Sequence, residues 1–557
     1  LLCYGLTHYN QGSGYKEFRM LVQIGSFGGI SPKTPPRFLQ DTQAQVSLNC
    51  AVFSGSLIPL PGVGSTVATL TKTGTPLTIY RFGQDALSDV NYWFHWTTDV
   101  DVARSQIAGD TSEWTFYTDG VLPKATYSTI ALSGSNYPTV SRPLGLPAPT
   151  STCSVTAGSV PSGSTALPET RNYTYTMVSK ESGYDFESAP AAASLDIDVV
   201  VGQSVTVNGF ASIPSGYNVT HRRIYRATAG TYLFVAEVTA ATTSYVDTKL
   251  AEDLGEEIPS LTWLQPPAAL KGLINMPGGF MAGFTGRDVY FSDPYHPHAW
   301  PVQYMQSLDY PVVGFGRMDT TLAVLTTGVP YIIQGSHPDS VTVVKSELEQ
   351  ACASKRSIVS FNGSTIYASP DGLVMLSASG SKLITEQYFT RAQWQAYFKP
   401  DSIHAYQHDL KYIGFYNNGT TSGGFIYDTT SGALTLHDIY ATAGFNDLQI
   451  DKLFLAFSDR TVKPWLEGSN KTYTWKSKKF TFPKVMSMAC AQLDAEAYPV
   501  TVKFYIDTSL VHTQTVTSRT PFRLPPTAGK DWEIQIEGNT EVFGFAMAQG
   551  MSELSGV

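Results

Sequence analysis

Short apolar-aromatic runs, tight-turn residues between them and a recurrence of about 45 residues predict an all-β fold. The expected architecture is a β-propeller with an inserted fibronectin III-like β-sandwich and a C-terminal β domain. Composition agrees: of 557 residues only 15% are charged, 12% are aromatic, and Gly and Pro number 47 and 33, the balance of a turn-rich β chain rather than a helical one. The length calls for several domains or one large closed architecture with insertions.

Taken in order, residues 1–19 are expected to be a translated upstream segment or an extended arm. The chain begins without Met, and Lys16-Glu17, which the purine run of a ribosome-binding site can encode, precedes Met20. Residues 20–140 form an N-terminal β region contributing to the hub and propeller, with strand-like runs TPLTIYRFG, VNYWFHWTTDVDVA, SEWTFYTDG and PKATYST. Residues 141–169 read as a Pro/Ser/Thr/Gly linker. Residues 170–262 alternate with period two, the length and rhythm of a fibronectin III-like sandwich. Residues 263–476 carry the propeller blades. Their clearest unit is SIVSF, NG, STIYAS, PDG, LVMLSA, SGS, KLIT, which is four strands and three turns, with Asn362-Gly363 supplying the positive φ of a two-residue hairpin. Comparable units open at Leu270, Val312, Ser357, Ser402 and Leu448, spaced 42, 45, 45 and 46 residues, the period of a four-stranded blade. Five units fall short of a typical circle, so the N-terminal strands are expected to supply the rest. Residues 477–557 form the C-terminal β domain.

A net charge of -9 speaks against a dedicated nucleic-acid binder, whose affinity rests on Lys and Arg, but allows a wall that DNA slides past. Five cysteines, Cys3, Cys50, Cys153, Cys352 and Cys490, follow no disulfide or zinc spacing and read as buried free thiols. No apolar run reaches the roughly 18 residues of a membrane span, and LLCYGL lacks a positive leader, so the protein is expected to be soluble and unexported. The Asn-x-Ser/Thr sequons are accordingly discounted as glycosylation sites.

The stretch GRDVYFSDPYHPHAWP, residues 286–301, holds two histidines, three prolines and four large aromatics. His296 and His298 could ligate a metal with Asp293, but a proline-stiffened loop packed by Tyr295 and Trp300 is the preferred reading. His404 and His408 have helical ligand spacing in a segment that reads as strand. The turn at Asp371 resembles the aspartate turn of sialidase-like propellers only in part, and sequence places no facing carboxylate pair. The structural motif is therefore assigned to Arg287, Asp288, Asp293, Tyr295, Pro297 and Trp300. Two basic groups, Arg222, Arg223, Arg226 and Lys476, Lys478, Lys479, are the candidates for contact with a partner, against the alternative that they are solvated strand faces. No catalytic residue, cofactor or metal is expected.

LKGLINMPGGFMAGFTGRDVYFSDPYHPHAWP, LAVLTTGVPYIIQGSHPDSV and CASKRSIVSFNGSTIYASPDGLVMLSASG, preceded by HRRIYRATAGTYLFVAEVTAATTSYVDTKLAEDLGEEIPS, resemble the body of short-tailed bacteriophage (podovirus) virion proteins that build the tail hub or nozzle, the tail tubular proteins. MLVQIGSFGGISPKTPPRFLQDTQAQVSLNCAVFSGSLIPL is similar to their opening, consistent with a start at Met20. The resemblance implies a propeller-containing, non-enzymatic subunit of a sixfold homo-oligomeric ring in the virion, assembled in the bacterial cytoplasm. It implies contact with the adaptor ring and with tail fibre or spike proteins, and transient passage of double-stranded DNA. The family brings no catalytic residues. A glycan-binding receptor module and a propeller glycoside hydrolase are the alternatives.

Overall fold

The computed structural model describes residues 20–83, 92–361 and 363–554; residues 1–19, with Cys3, lie outside them, as does Asn362. The fold is all-β, with a propeller, an inserted sandwich and a terminal β domain. Seven blades are formed by the described residues. The first has two strands, Thr78–Phe82 and Tyr92–Trp96. The second runs Asp101–Arg104, Thr115–Thr118, Lys124–Thr126 and Arg142–Pro143. Four-stranded antiparallel meanders then open at Lys271, Val312, Val359 and His404, each strand paired with the next. The seventh blade takes Ala443–Asp447, Lys452–Ala456 and Thr461–Pro464, and its outer strand is Ala68–Thr69 from far earlier in the chain.

The innermost strands of successive blades lie side by side round one axis. Between the first and second blades the Val100 N–H donates to Thr78 Oγ1 at 3.0 Å. Pairing of an early strand into the last blade joins the two ends of the circle and makes the two-residue strand Ala68–Thr69 the outer edge of that blade. The last blade begins at Ala443 rather than Leu448: Leu448 lies in the hairpin after the inner strand, 80% exposed, whereas Ala443 is buried. A helix, Arg391–Phe398, buries Trp394 and Phe398 beside the fifth and sixth blades; a Thr390/Gln393 capping box starts it and Lys399 in the left-handed region ends it.

The insertion is a sandwich of a three-stranded sheet, in which Val205–Asn208 pairs with Ser154–Ala157 and Ser244–Asp247, and a four-stranded sheet built on Tyr173–Glu181 and His221–Thr228. Residues 141–169 are therefore more than linker, because Arg142–Pro143 completes the second blade and Ser154–Ala157 starts the sandwich. The terminal domain likewise reaches outside 477–557. Leu21–Ile24 pairs with Val542–Ala548, and Ala44–Leu48 pairs with Tyr473–Ser477, so strands from both ends of the chain share one core around Trp475 and Trp532. Its large sheet continues into the sixth blade through a parallel bridge, Leu48 to Leu436. Cys50, Cys153, Cys352 and Cys490 are buried free thiols. No helix among the described residues is long and apolar enough to cross a membrane.

Candidate functional site

The 286–301 stretch is the joint between propeller and sandwich. Strand Asp288–Phe291 pairs within the third blade, and Asp288 accepts from Ser307 Oγ at 2.5 Å. The Arg287 carbonyl accepts from the Leu308 N–H, which ties the turn to the strand that follows. The loop then folds on itself: Asp293 N–H donates to Ala299 O, and its carboxylate holds His296 Nδ1 at 2.9 Å and the Tyr304 hydroxyl at 3.2 Å. Pro297 is buried, and its carbonyl receives Trp300 Nε1–H at 2.9 Å. Trp300, 2% exposed, belongs to one apolar cluster with Leu270, Leu273 and Met281 of the blade and Tyr173, Tyr175 and Phe186 of the sandwich. Tyr295 differs from the packing role expected of it. Its ring is 57% exposed, and it anchors through its backbone, donating to Gly279 O and accepting from the Tyr184 hydroxyl.

A polar network runs beneath this joint. Buried Glu187 accepts from Thr176, Tyr225, Ser260 and Arg223 side chains at 2.6–3.2 Å, so its carboxylate is fully solvated by the fold. Its N–H points at His298 Nε2, 3.3 Å away, and burial holds the His298 imidazole down at about 3, hence neutral. Among the described residues no group of three or more His, Cys, Asp or Glu is placed to hold a metal ion. His404 is buried on the sixth inner strand, bonded to Ala441 O at 2.8 Å, and His408 lies at the far end of that strand.

The six basic residues considered for partner contact are engaged within the chain. Arg222 is 4% exposed and donates to the Ala211, Ala240 and Thr242 carbonyls. Arg223 pairs with Asp185, Glu187 and Glu237, and Arg226, 1% exposed, with Asp247 at 2.9 Å. Lys476 pairs with Glu533 over the Tyr505 ring, Lys478 with Asp41, and Lys479 lies 3.7 Å from Glu533.

The remaining charge cluster sits on the propeller axis, in a cavity of about 300 Å³ lined by residues from all seven blades. Two consecutive residues ahead of the fifth inner strand reach across it. Lys355 Nζ lies 3.1 Å from Asp99 and 2.7 Å from Asp101, while Arg356 donates to Leu77 O at 2.9 Å and Thr442 O at 2.6 Å. Asp101 also accepts the Gly272 N–H at 2.6 Å. Lys355 thus ties the fifth blade to the second, and Arg356 ties it to the first and seventh. Burial pushes the Asp101 carboxyl up and Lys355 pulls it back; burial also works against the Lys355 charge, but the two carboxylates outweigh it and raise its affinity for the proton. Sequence reasoning passed over these four residues; their signal was two charged pairs, DVD at 99–101, where the second inner strand begins, and SKRS at 354–357, just ahead of the fifth.

No family model matches the sequence, and no curated protein matches it. Among solved structures, the chain is similar to PorZ, a bacterial surface component of the type-IX secretion system of Porphyromonas gingivalis, at 11% identity and a TM-score of 0.25, over 53% of this chain and 42% of that one. It thus spans less than half of PorZ. An exo-β-1,3-galactanase from Phanerochaete chrysosporium matches at 10% identity and a TM-score of 0.21, over 68% and 100% of the two chains. The extracellular domain of the one-component system BT4673 from B. thetaiotaomicron matches at 7% and 0.25, over 85% and 50%. Likenesses this remote carry no argument about function.

Proposed function

We propose that the chain is a structural subunit of the tail nozzle or hub of a short-tailed bacteriophage, six copies forming a ring that extends the portal-adaptor channel and conducts DNA during ejection. The observation that carries the reading beyond the sequence resemblance is the way charge is spent. The six clustered basic residues and the axial Lys355 and Arg356 are all committed inside the chain, so the surface of an acidic protein gains no basic stripe from them. A conduit wall should not grip phosphate, and none of these eight cations is left free to do so. The axial cavity of about 300 Å³ is far too small for a duplex, so the passage in this reading runs between copies, round an axis of the assembly, and not through a propeller.

A ring needs a heterologous interface between rigid bodies. Rigidity is supported by the axial ties and by the shared Trp300 cluster between blade and sandwich. The subunit is read as non-catalytic: Asp99 and Asp101 grip the same ammonium rather than facing each other across a cleft, as the carboxylates of a glycosidase do. The test is assembly: purified protein imaged at rising concentration should show closed rings of six, whereas glycan turnover or glycan binding by single copies would replace this reading with one of the alternatives.

A further inference from the structure

A second cavity, of about 500 Å³, lies where the sixth and seventh blades meet the terminal β domain. That is the size range of pockets for small organic ligands. Its floor is apolar: Leu60, Ile413, Ile426 and Trp465 belong to one buried cluster. Its rim is acidic. Asp409 and Asp451 come from the inner hairpins of the two blades, and Glu496 and Glu541 from loops of the terminal β domain joined by the Glu496 N–H to Glu541 O bond.

The one cation lining it among the described residues, Lys411, is already held by Asp409 and lies 5.3 Å from the centre of the Phe53 ring. Asp451, Glu496 and Glu541 form no ion pair among the described residues; the Glu541 carboxylate accepts the Ser56 hydroxyl at 2.6 Å. His408 adds a buried ring nitrogen, Nδ1, with no hydrogen-bond partner among the described residues. The walls therefore offer acceptors and negative charge above a hydrocarbon floor. The complementary ligand supplies N–H donors, positive charge and an apolar body.

We propose that this cavity binds an organic cation, an alkylammonium or alkylguanidinium group whose hydrocarbon rests on Trp465 and Ile413 and whose N–H groups meet Asp451, Glu496 and Glu541. The proposal stands independently of ring assembly. The cation can come from a free polyamine or from a Lys or Arg side chain of a peptide, and the two sources share this chemistry.

Isothermal titration calorimetry on the full chain separates them, with spermidine as the free polyamine, N-acetyl-Phe-Arg-amide as the peptide side chain and benzyl alcohol as the uncharged control. The expected result is saturable binding of one cation per chain with Kd below about 1 mM, weakened by salt and absent for benzyl alcohol. Glu496→Gln/Glu541→Gln should lose at least tenfold in affinity, and Glu252→Gln, at a remote exposed carboxylate, should lose none. If the double variant unfolds, Asp451→Asn on the exposed hairpin should give the same direction of loss. Saturation by spermidine alone assigns a free amine, and by the peptide alone a protein side chain. No saturable heat with either cation, equal binding of benzyl alcohol, or unchanged affinity in the variants overturns the proposal, whatever the oligomeric state.

Discussion

Replacing Lys355 by Met should open the propeller. The substitution keeps the length of the side chain but leaves Asp99 and Asp101 facing each other without the ammonium that both now hold. Removing one partner of a buried pair costs roughly 3–5 kcal/mol. Here the Lys355 and Asp101 side chains are 21% and 18% exposed, so water screens part of the loss and about 2–3 kcal/mol is the working figure. Because the chain has three packed units, global melting would blur this, and hydrogen exchange resolved by peptide is the better assay. Amides of the inner strands Lys271–Asn275 and Ala443–Asp447 should exchange roughly 30- to 150-fold faster. Sandwich strand Tyr173–Glu181 should keep its rate. Adding Asp101→Asn to Lys355→Met should restore part of the protection, since a neutral amide no longer needs the cation. Acceleration under about fivefold, or the same acceleration over the whole chain, would refute the idea that Lys355 ties the circle together.

Trp300→Ala should cost about 3–5 kcal/mol and expose the joint between sandwich and third blade to protease, measured by limited proteolysis and denaturant unfolding; unchanged cleavage would show that the joint does not depend on it. Arg226→Met strands Asp247, which is fully buried, and should cost about 3 kcal/mol while leaving assembly geometry unaltered in those copies that fold; a folded variant that fails only in assembly would restore Arg226 as a partner contact. Burial holds His298, His404 and His437 at about 3, below the ordinary histidine value of 6.5. The unfolded chain binds their protons first, so the stability they contribute is whole above pH 6.5 and falls as pH drops towards 3, by up to about 1.4 kcal/mol per pH unit for each histidine. A melting temperature that stayed flat from pH 6.5 to 4.5 would contradict this.

Blade openings at 270, 312, 357 and 402 were legible within two residues because each blade starts where a turn hands over to an apolar strand. The seventh was misplaced because its inner strand, AGFND, contains Gly444, where a Cβ would come within 2.8 Å of the Tyr406 ring, and nothing in the local pattern announces that close approach. Terminal strands escaped for a different reason. Leu21–Ile24 pairs with residues some 520 positions later, and only the fold selects such a partner. The helix Arg391–Phe398 was readable in principle from its Thr390/Gln393 cap, but its eight residues are too short to show periodicity.

The basic residues teach the opposite lesson. In strand His221–Thr228 the period of two puts Arg222 and Arg226 on the same face as buried Ile224, so alternation alone marks them as inward-pointing charges needing internal partners. Asp247, the partner of Arg226, follows in the neighbouring sheet, which no spacing rule selects. The axial site was hidden because its four charged residues come from two segments some 250 positions apart, brought together only when the circle closes.

The most direct test of the ring reading is mass measurement with negative-stain imaging of the purified chain across a concentration series. The account predicts closed rings of six copies round a bore wide enough for duplex DNA, with the propeller axes themselves blocked. Single copies at every concentration, or a symmetric dimer without a bore, would contradict it.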